Sequence, residues 1–231
     1  MKKKGLFIVL EGTDGSGKSE QFNRLIKKLK KITSHIKTVD FPQYGKSSAY
    51  FVEKYLTGEY GGWKEVGPYK ASLFYALDRF DISAQIKKWL KQGNIVLANR
   101  YVASNLGHQS VKIKNKITRR NFFKWINDLE YKILGIPKPN INFFLHVPAK
   151  VAYQLVAQKG AREYLHGKKR DIHEQDIKHL QQAEKNYLEI VKFFPKDFLL
   201  IECASGNKLL SREEIEEKIW KSFKRKYPSL G

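Results

Sequence analysis

Apolar positions along the chain follow two rhythms. Residues 6–10 form an unbroken apolar run that stops at Glu11 and passes into a glycine-rich turn, the mark of a strand buried on both faces of a parallel sheet. From Lys18 onward, Phe22, Leu25, Ile26, Leu29 and Ile32 recur at helical spacing, so a helix follows the turn. A second strand is expected over 36–41, stopped by Pro42. Helices are expected over 47–56 and 67–91, on either side of the glycine-rich stretch 58–62. Short apolar runs at 94–98, at 141–147 (ended by Pro148) and at 198–202 predict three more strands. Helical patterns over 119–134, 149–159, 172–194 and 211–226 fall between and after them. Strands alternating with helices predict βαβ units: an α/β fold with a parallel sheet of about five strands flanked by helices. No repeat, low-complexity tract or interdomain linker interrupts the pattern, so residues 1–231 read as one domain. The polar, basic stretch 160–170 reads as a surface loop between two helices.

Composition changes this picture little. At 42% hydrophobic and 13% aromatic residues the chain can build a sizeable core, which excludes wholesale disorder. The lone cysteine, Cys203, excludes an intrachain disulfide and a cysteine-rich metal site. The apolar run after the basic start is too short for a signal peptide or a membrane span. A cytoplasmic protein without a membrane anchor is the expectation. The 44 Lys and Arg against 23 Asp and Glu give a net charge of +21, which attracts polyanions or phosphate-bearing small molecules. The cations are scattered, however, as at Lys27, Lys28, Lys30, Lys31, Lys112, Lys114, Lys116, Lys218, Lys221 and Lys224. They read as a solvated coat, with no base-reading module beside them and no nucleic-acid partner expected.

The chemistry begins at Gly12-Thr13-Asp14-Gly15-Ser16-Gly17-Lys18-Ser19, which fits G-x-x-x-x-G-K-[ST] between the predicted strand and helix. Its glycines let backbone N–H groups turn inward around phosphate oxygens, helped by the positive end of the helix. Lys18 reaches the β- and γ-phosphates in this pattern and Ser19 ligates Mg²⁺, so a nucleoside triphosphate site is predicted. Three further segments bear on the second substrate: 40–45, 73–80 and 99–105, with His108 close behind. Ligands bind at the carboxyl ends of strands in open α/β sheets, so the first and third face the glycine loop. Tyr75 and Arg79 are four apart on one helix face, where a ring can stack on a base and a guanidinium can bond its edge. Arg100, beside a strand end, can clamp a phosphate with two prongs.

These four segments, in this order, resemble the thymidylate kinases, a family of P-loop nucleoside monophosphate kinases. The likeness covers Glu11 to Ser19, the Phe41-Pro42-x-Tyr44-Gly45 turn, Ala76-Leu77-Asp78-Arg79, and Arg100-Tyr101-Val102-Ala103-Ser104-Asn105. It runs from about Leu6 to Phe194. The resemblance implies transfer of the ATP γ-phosphoryl group to dTMP, with Mg²⁺, on a P-loop fold with a short mobile lid, commonly in a homodimer. It puts Asp14 near the sugar 3′-hydroxyl and acceptor phosphate, Phe41 and Pro42 in the base pocket, and Tyr44 against the deoxyribose. Tyr75 takes the base-stacking position, with Phe74 the near competitor. Arg79 meets the thymine carbonyl, Arg100 the acceptor phosphate, Asn105 the base edge, and His108 stands where an aromatic residue near the sugar is usual. The lid corresponds to about 160–171, with Lys169 and Arg170 as cations over the phosphates.

The chain departs from the family pattern twice. Asn99 replaces the usual Asp before Arg-Tyr, so an amide stands where a Mg²⁺-shell carboxylate is expected. Gln43 stands where relatives often carry an arginine, leaving Lys46 or the lid to supply that cation. Taken alone, His108, His166 and His173 read as ordinary polar surface or loop residues, and Glu11 as either an orienting group or a metal ligand. A phosphate monoester is already a nucleophile, so the predicted catalysis rests on Lys18, Mg²⁺, Arg100, Asp14 and Arg170 through alignment and charge neutralisation. Competing readings are a kinase for another nucleoside monophosphate, a nucleotide-binding regulator with weakened catalysis, and a nucleic-acid-associated ATPase.

Overall fold

The computed structural model describes residues 5–157 and 177–230. Five parallel strands form the central sheet: β1 (Leu6–Glu11), β2 (Ile36–Asp40), β3 (Ile95–Asn99), β4 (Ile141–His146) and β5 (Phe198–Glu202), in the order β2-β3-β1-β4-β5. Every residue of β1 and β3 is buried, as their unbroken apolar runs require. The strand period of two sorts β1 into two cores. Leu6, Ile8 and Leu10 point to one face, with Leu25 and Leu29 of α1 (Lys18–Lys30) and, from the final helix, Ile215, Ile219 and Phe223. Phe7 and Val9 point to the other, with Phe122, Phe123, Tyr187 and Ile190.

The order of strands reverses beside β1, because the chain leaves β1 for β2 on one side and leaves β3 for β4 on the other, and a crevice opens there at the carboxyl ends. α2 (Tyr50–Thr57), α3 (Trp63–Asp81), α4 (Ser83–Lys91) and α5 (Val102–Gln109) wall that crevice or support it. A third small core, Val52, Tyr55, Leu56, Val66 and Ala71, joins α2 to α3. The other α-helices among the described residues are α6 (Lys116–Asn127), α7 (Ala149–Ala157), α8 (Ile177–Phe193) and α9 (Arg212–Lys226).

Several boundaries differ from the sequence expectation. The helix expected over 67–91 is two helices broken at Ile82, and α3 itself is kinked at Gly67, where φ is 75°. Ile82 carries no glycine or proline signal, so periodicity alone ran through the bend. β2 ends at Asp40 and β3 starts at Ile95, each one residue inside the expected strand. The helix expected over 119–134 changes after Asn127 into a π-helical turn, Asp128–Ile133. α5 was not anticipated: it is short and contains Gly107, where a Cβ would come within 2.3 Å of the Tyr187 ring. A two-stranded hairpin, β6 (Ala204–Ser205) with β7 (Lys208–Leu209), was also missed. The expected lid, 160–171, with His166, Lys169, Arg170 and His173, lies outside the described residues.

Candidate active site

The glycine loop sits between β1 and α1 at the carboxyl edge of the sheet. Gly15 and Gly17 have φ of 80° and 76°, a region closed to most side chains. At Gly15 a Cβ would also lie 2.2 Å from the Ala152 carbonyl oxygen. Lys18 is buried and its Nζ donates to the Thr13 carbonyl at 2.7 Å, bracing the loop from inside. Ser19, at the start of α1, is exposed to an open cavity also lined by Asp14, Lys18, Asp40, Lys46, Asn99 and Arg100.

Glu11 resolves into the orienting role. Its Oε1 accepts the Tyr101 N–H at 2.7 Å and the Ser104 N–H at 3.2 Å, and Oε2 accepts the Ser104 hydroxyl at 2.7 Å. That buried carboxylate therefore caps the first turn of α5 and fixes the residue before it. Arg100 is that residue, held at φ 64°, a left-handed conformation that costs a non-glycine residue about 1 kcal/mol or more. The result aims its guanidinium across the crevice to Asp14, with which it forms an ion pair, and within 3.3 Å of His108 Nε2. Burial opposes the Arg100 charge, but Asp14 and then Tyr187 and Glu11 outweigh it and raise its pKa.

A second cavity opens on the other side of Asp14 and Arg100. It is lined by Phe41, Pro42, Tyr44, Tyr75, Arg79, Asn105 and His108, so the residues named from the sequence converge. The near competitor does not: Phe74 stacks on Phe51 at 5.7 Å, outside the cavity lining. His108 is not a surface residue. It is buried, it stacks on His179 at 5.8 Å, and burial pushes its pKa well below the ordinary value, so it stands neutral.

Glu130 was missed. It is wholly buried on the π-helical turn, and it grips Arg79 by two bonds of 2.6 Å, to Nε and Nη2. Its Oε1 also accepts from Asn105 Nδ2 at 3.2 Å. One carboxylate thus orients both polar walls of the cavity. No local signal marks it: the same turn carries Asp128 and Lys132, and the partner of Glu130 lies 51 positions away. Asn105 Nδ2 also donates to the Ser72 carbonyl at 3.1 Å. With the amide nitrogen so fixed, Asn105 Oδ1 is left buried with no hydrogen-bond partner among the described residues.

Gln43 is a structural pin. Its backbone N–H donates to Asp78 Oδ2 at 3.0 Å and its amide to the Asp78 carbonyl at 2.9 Å. Lys46 Nζ donates to Gln43 Oε1 at 2.8 Å and lines the open cavity beside the glycine loop. Asp40 faces that cavity too; crowding lifts its carboxyl above the usual range, against a hydrogen bond from Asn99 and the charges of Arg100 and Lys18.

Comparison with known proteins agrees with this geometry. A family model described as thymidylate kinase matches residues 10–225. The thymidylate kinase of Mycobacterium tuberculosis is 28% identical over 186 residues, covering 80% of this chain and 85% of that protein. A probable thymidylate kinase of Methanocaldococcus jannaschii is 29% identical over 214 residues, covering 93% of each. Among solved structures, the thymidylate kinase of Candida albicans shares the fold with a TM-score of 0.74 at 22% identity, over 96% of this chain and 92% of that one. Because the family match runs from the first strand to the last helix and so takes in the glycine loop and both cavities, the chain belongs to the thymidylate kinase family.

Proposed function

We propose that the chain transfers the γ-phosphoryl group of ATP to dTMP, giving dTDP and ADP, with the triphosphate on the glycine loop and the monophosphate in the second cavity. The observation that carries the base assignment is the pairing of Asn105 Oδ1, a buried acceptor without a partner among the described residues, with Nη1 of Arg79, which Glu130 does not engage and which makes a long 3.5 Å bond to the Tyr101 carbonyl. An acceptor beside a donor complements the N3–H and a carbonyl of thymine; cytosine presents the reverse at N3. Tyr75 offers the stacking face, Phe41 and Pro42 the apolar wall, and Tyr44 and His108 flank the sugar.

Asp14 and Arg100 stand between the two cavities, where the acceptor phosphate would meet the γ-phosphate. The acceptor oxygen is anionic and needs no base. Arg100 and Lys18 neutralise charge and hold the two phosphates in line, Asp14 fixes the angle of Arg100, and Arg170 of the expected lid joins as a further cation. Lys46 supplies the cation lacking at Gln43. A Mg²⁺ ion fits the donor set on the phosphate side: the exposed Ser19 hydroxyl, Asn99 Oδ1, buried and partnerless among the described residues, and the Asp40 carboxylate are all hard oxygen donors. Bound with ATP, the ion would offset charge developing on the β- and γ-phosphate oxygens.

The proposal includes a homodimer. Leu73, Leu77 and Phe80, spaced four and three apart on α3, are 40–47% exposed along one helix face. Leu77→Glu converts a dimer to a monomer in light-scattering chromatography if that face is the contact. No helix among the described residues is long and apolar enough to cross a membrane, and a lone, buried cysteine suits a reducing, cytoplasmic setting. ADP release measured over a panel of nucleoside monophosphates tests the reaction. dTMP is expected to give the highest kcat/KM, and turnover that favours dCMP would refute the base assignment. ATP binding without turnover of any monophosphate would favour the regulator instead.

A further inference from the structure

We infer that Asp40, at the end of β2, supplies the carboxylate that holds the nucleotide's divalent cation, with Asn99 Oδ1 and the Ser19 hydroxyl beside it. The inference deepens the kinase reading and rests on it. A hard cation bound with phosphates takes one or two protein carboxylates, often through its waters. Among the described residues, the carboxylates lining the phosphate-side cavity are Asp14 and Asp40. Asp14 is occupied by its ion pair with Arg100. Glu11 is turned away beneath α5, where it holds the Tyr101 and Ser104 N–H groups.

Asp40 is placed for the task by sheet register. It pairs directly with Asn99 across the β2–β3 ladder, so both side chains leave the carboxyl edge of the sheet at the same height. The Asn99 amide lies beside the Asp40 carboxylate and favours its ionised form. The oxygen, Oδ1, is buried and partnerless among the described residues, on a residue only 8% exposed. A neutral oxygen and a charged one thus meet beside Ser19 in one cavity. The carboxylate sits one strand over, about 4.8 Å from the β3 position, and Asn99 serves as the lever that orients it.

A structural alternative makes Asp40 only a counter-charge to Lys18 and Arg100, whose fields it feels. The two differ in what they predict for metal. In the full-length protein, Mn²⁺ affinity is measured by electron paramagnetic resonance in the complex with ATP, beside calorimetric ATP binding without metal. Asp40→Asn, nearly isosteric, is expected to weaken Mn²⁺ binding about 10-fold or more, with metal-free ATP affinity retained. The double variant Asp40→Asn/Asn99→Asp, which returns the carboxylate one strand across, is expected to recover most of that loss. Wild-type Mn²⁺ affinity in Asp40→Asn overturns the inference. So does a loss that the double variant leaves unrepaired, because the defect would then lie in the sheet edge. A wild-type chain that binds Mn²⁺ and ATP but phosphorylates no monophosphate would refute the assigned reaction, while the same titrations still decide the role of Asp40.

Discussion

Glu130→Gln is the most informative single substitution for the wall proposed to read the base. The change keeps volume and one acceptor but removes the charge opposite Arg79, which is buried with 2.6 Å bonds to both carboxylate oxygens. Breaking a buried ion pair by removing one partner costs about 3–5 kcal/mol. The glutamine oxygen still accepts one bond from the guanidinium, worth about 1.5–3 kcal/mol, so a net loss of about 2 kcal/mol is expected. For a chain of this length that lowers Tm by about 4–8 °C. The loss is also functional, because the same carboxylate holds Asn105 Nδ2. With both walls loosened, KM for dTMP is expected to rise about 10-fold or more, equivalent to about one charge-assisted bond, with kcat changing less. Replacing the whole pair, Arg79→Met/Glu130→Leu, separates the two effects. An apolar pair of similar volume can restore stability but offers the base no donor. Tm should return towards wild type while dTMP binding stays lost. A Glu130→Gln protein with unchanged Tm and unchanged KM would refute the reasoning outright, as would recovery of dTMP binding in the double variant.

Other perturbations follow from the same geometry. Lys112 Nζ sits under the α3 kink, bonded to Tyr55 Oη, the Gly67 carbonyl and Gln109 Oε1, and burial lowers its pKa to about 7. Between about pH 7 and its unfolded value of 10.5 the unfolded chain holds more protons at this site, so its contribution makes stability rise with pH there. Lys112→Met should flatten that slope in urea titrations; an unaltered slope would count against it. His146 bridges Glu184 and Glu202 at 2.8 and 2.6 Å, and the Glu184 bond leads in raising its pKa. Its stabilisation is full below about pH 6.5 and is lost as pH rises through the raised value, so His146→Gln should narrow the difference in Tm between pH 6 and 8. Gly107→Ala drives a Cβ into the Tyr187 ring; overpacking of this kind costs about 1–3 kcal/mol, readable as a lower urea midpoint, and a midpoint at wild type would show that α5 and α8 can part.

The sequence disclosed what periodicity and short motifs encode. Unbroken apolar runs marked β1 and β3 because both are covered on both faces, and G-x-x-x-x-G-K-[ST] named its own strand–loop–helix setting. Tyr75 and Arg79 were legible because spacing of four puts them on one face. What stayed hidden depends on contact between distant segments. Nothing local marks the bend at Ile82, and nothing in Asp128–Ile133 says that Glu130 turns inward to meet Arg79. α5 was masked because Gly107 is selected for close approach to Tyr187, not for helix propensity. Asp40 drew notice only as part of a turn, since its value comes from a register with Asn99 that the chain reveals after it folds.

Arg100 shows how these levels combine. Its position after β3 is a local matter of strand length, yet its left-handed backbone is not one that arginine adopts unaided. Glu11 holds it there from the end of the neighbouring strand, by closing the first turn of α5 on a buried carboxylate. The parallel register of β1 and β3, in which Leu10 pairs with Asn99, puts Glu11 level with that turn. The glycine loop leaves β1 immediately after Glu11, so one residue anchors the arginine while its successors form the proposed triphosphate cradle. The two proposed phosphate sites are thereby tied to a single pair of adjacent strands, and their separation is set by the spacing of the sheet and not by a flexible loop. Phosphoryl transfer by alignment needs that rigidity at the centre, whatever moves around it.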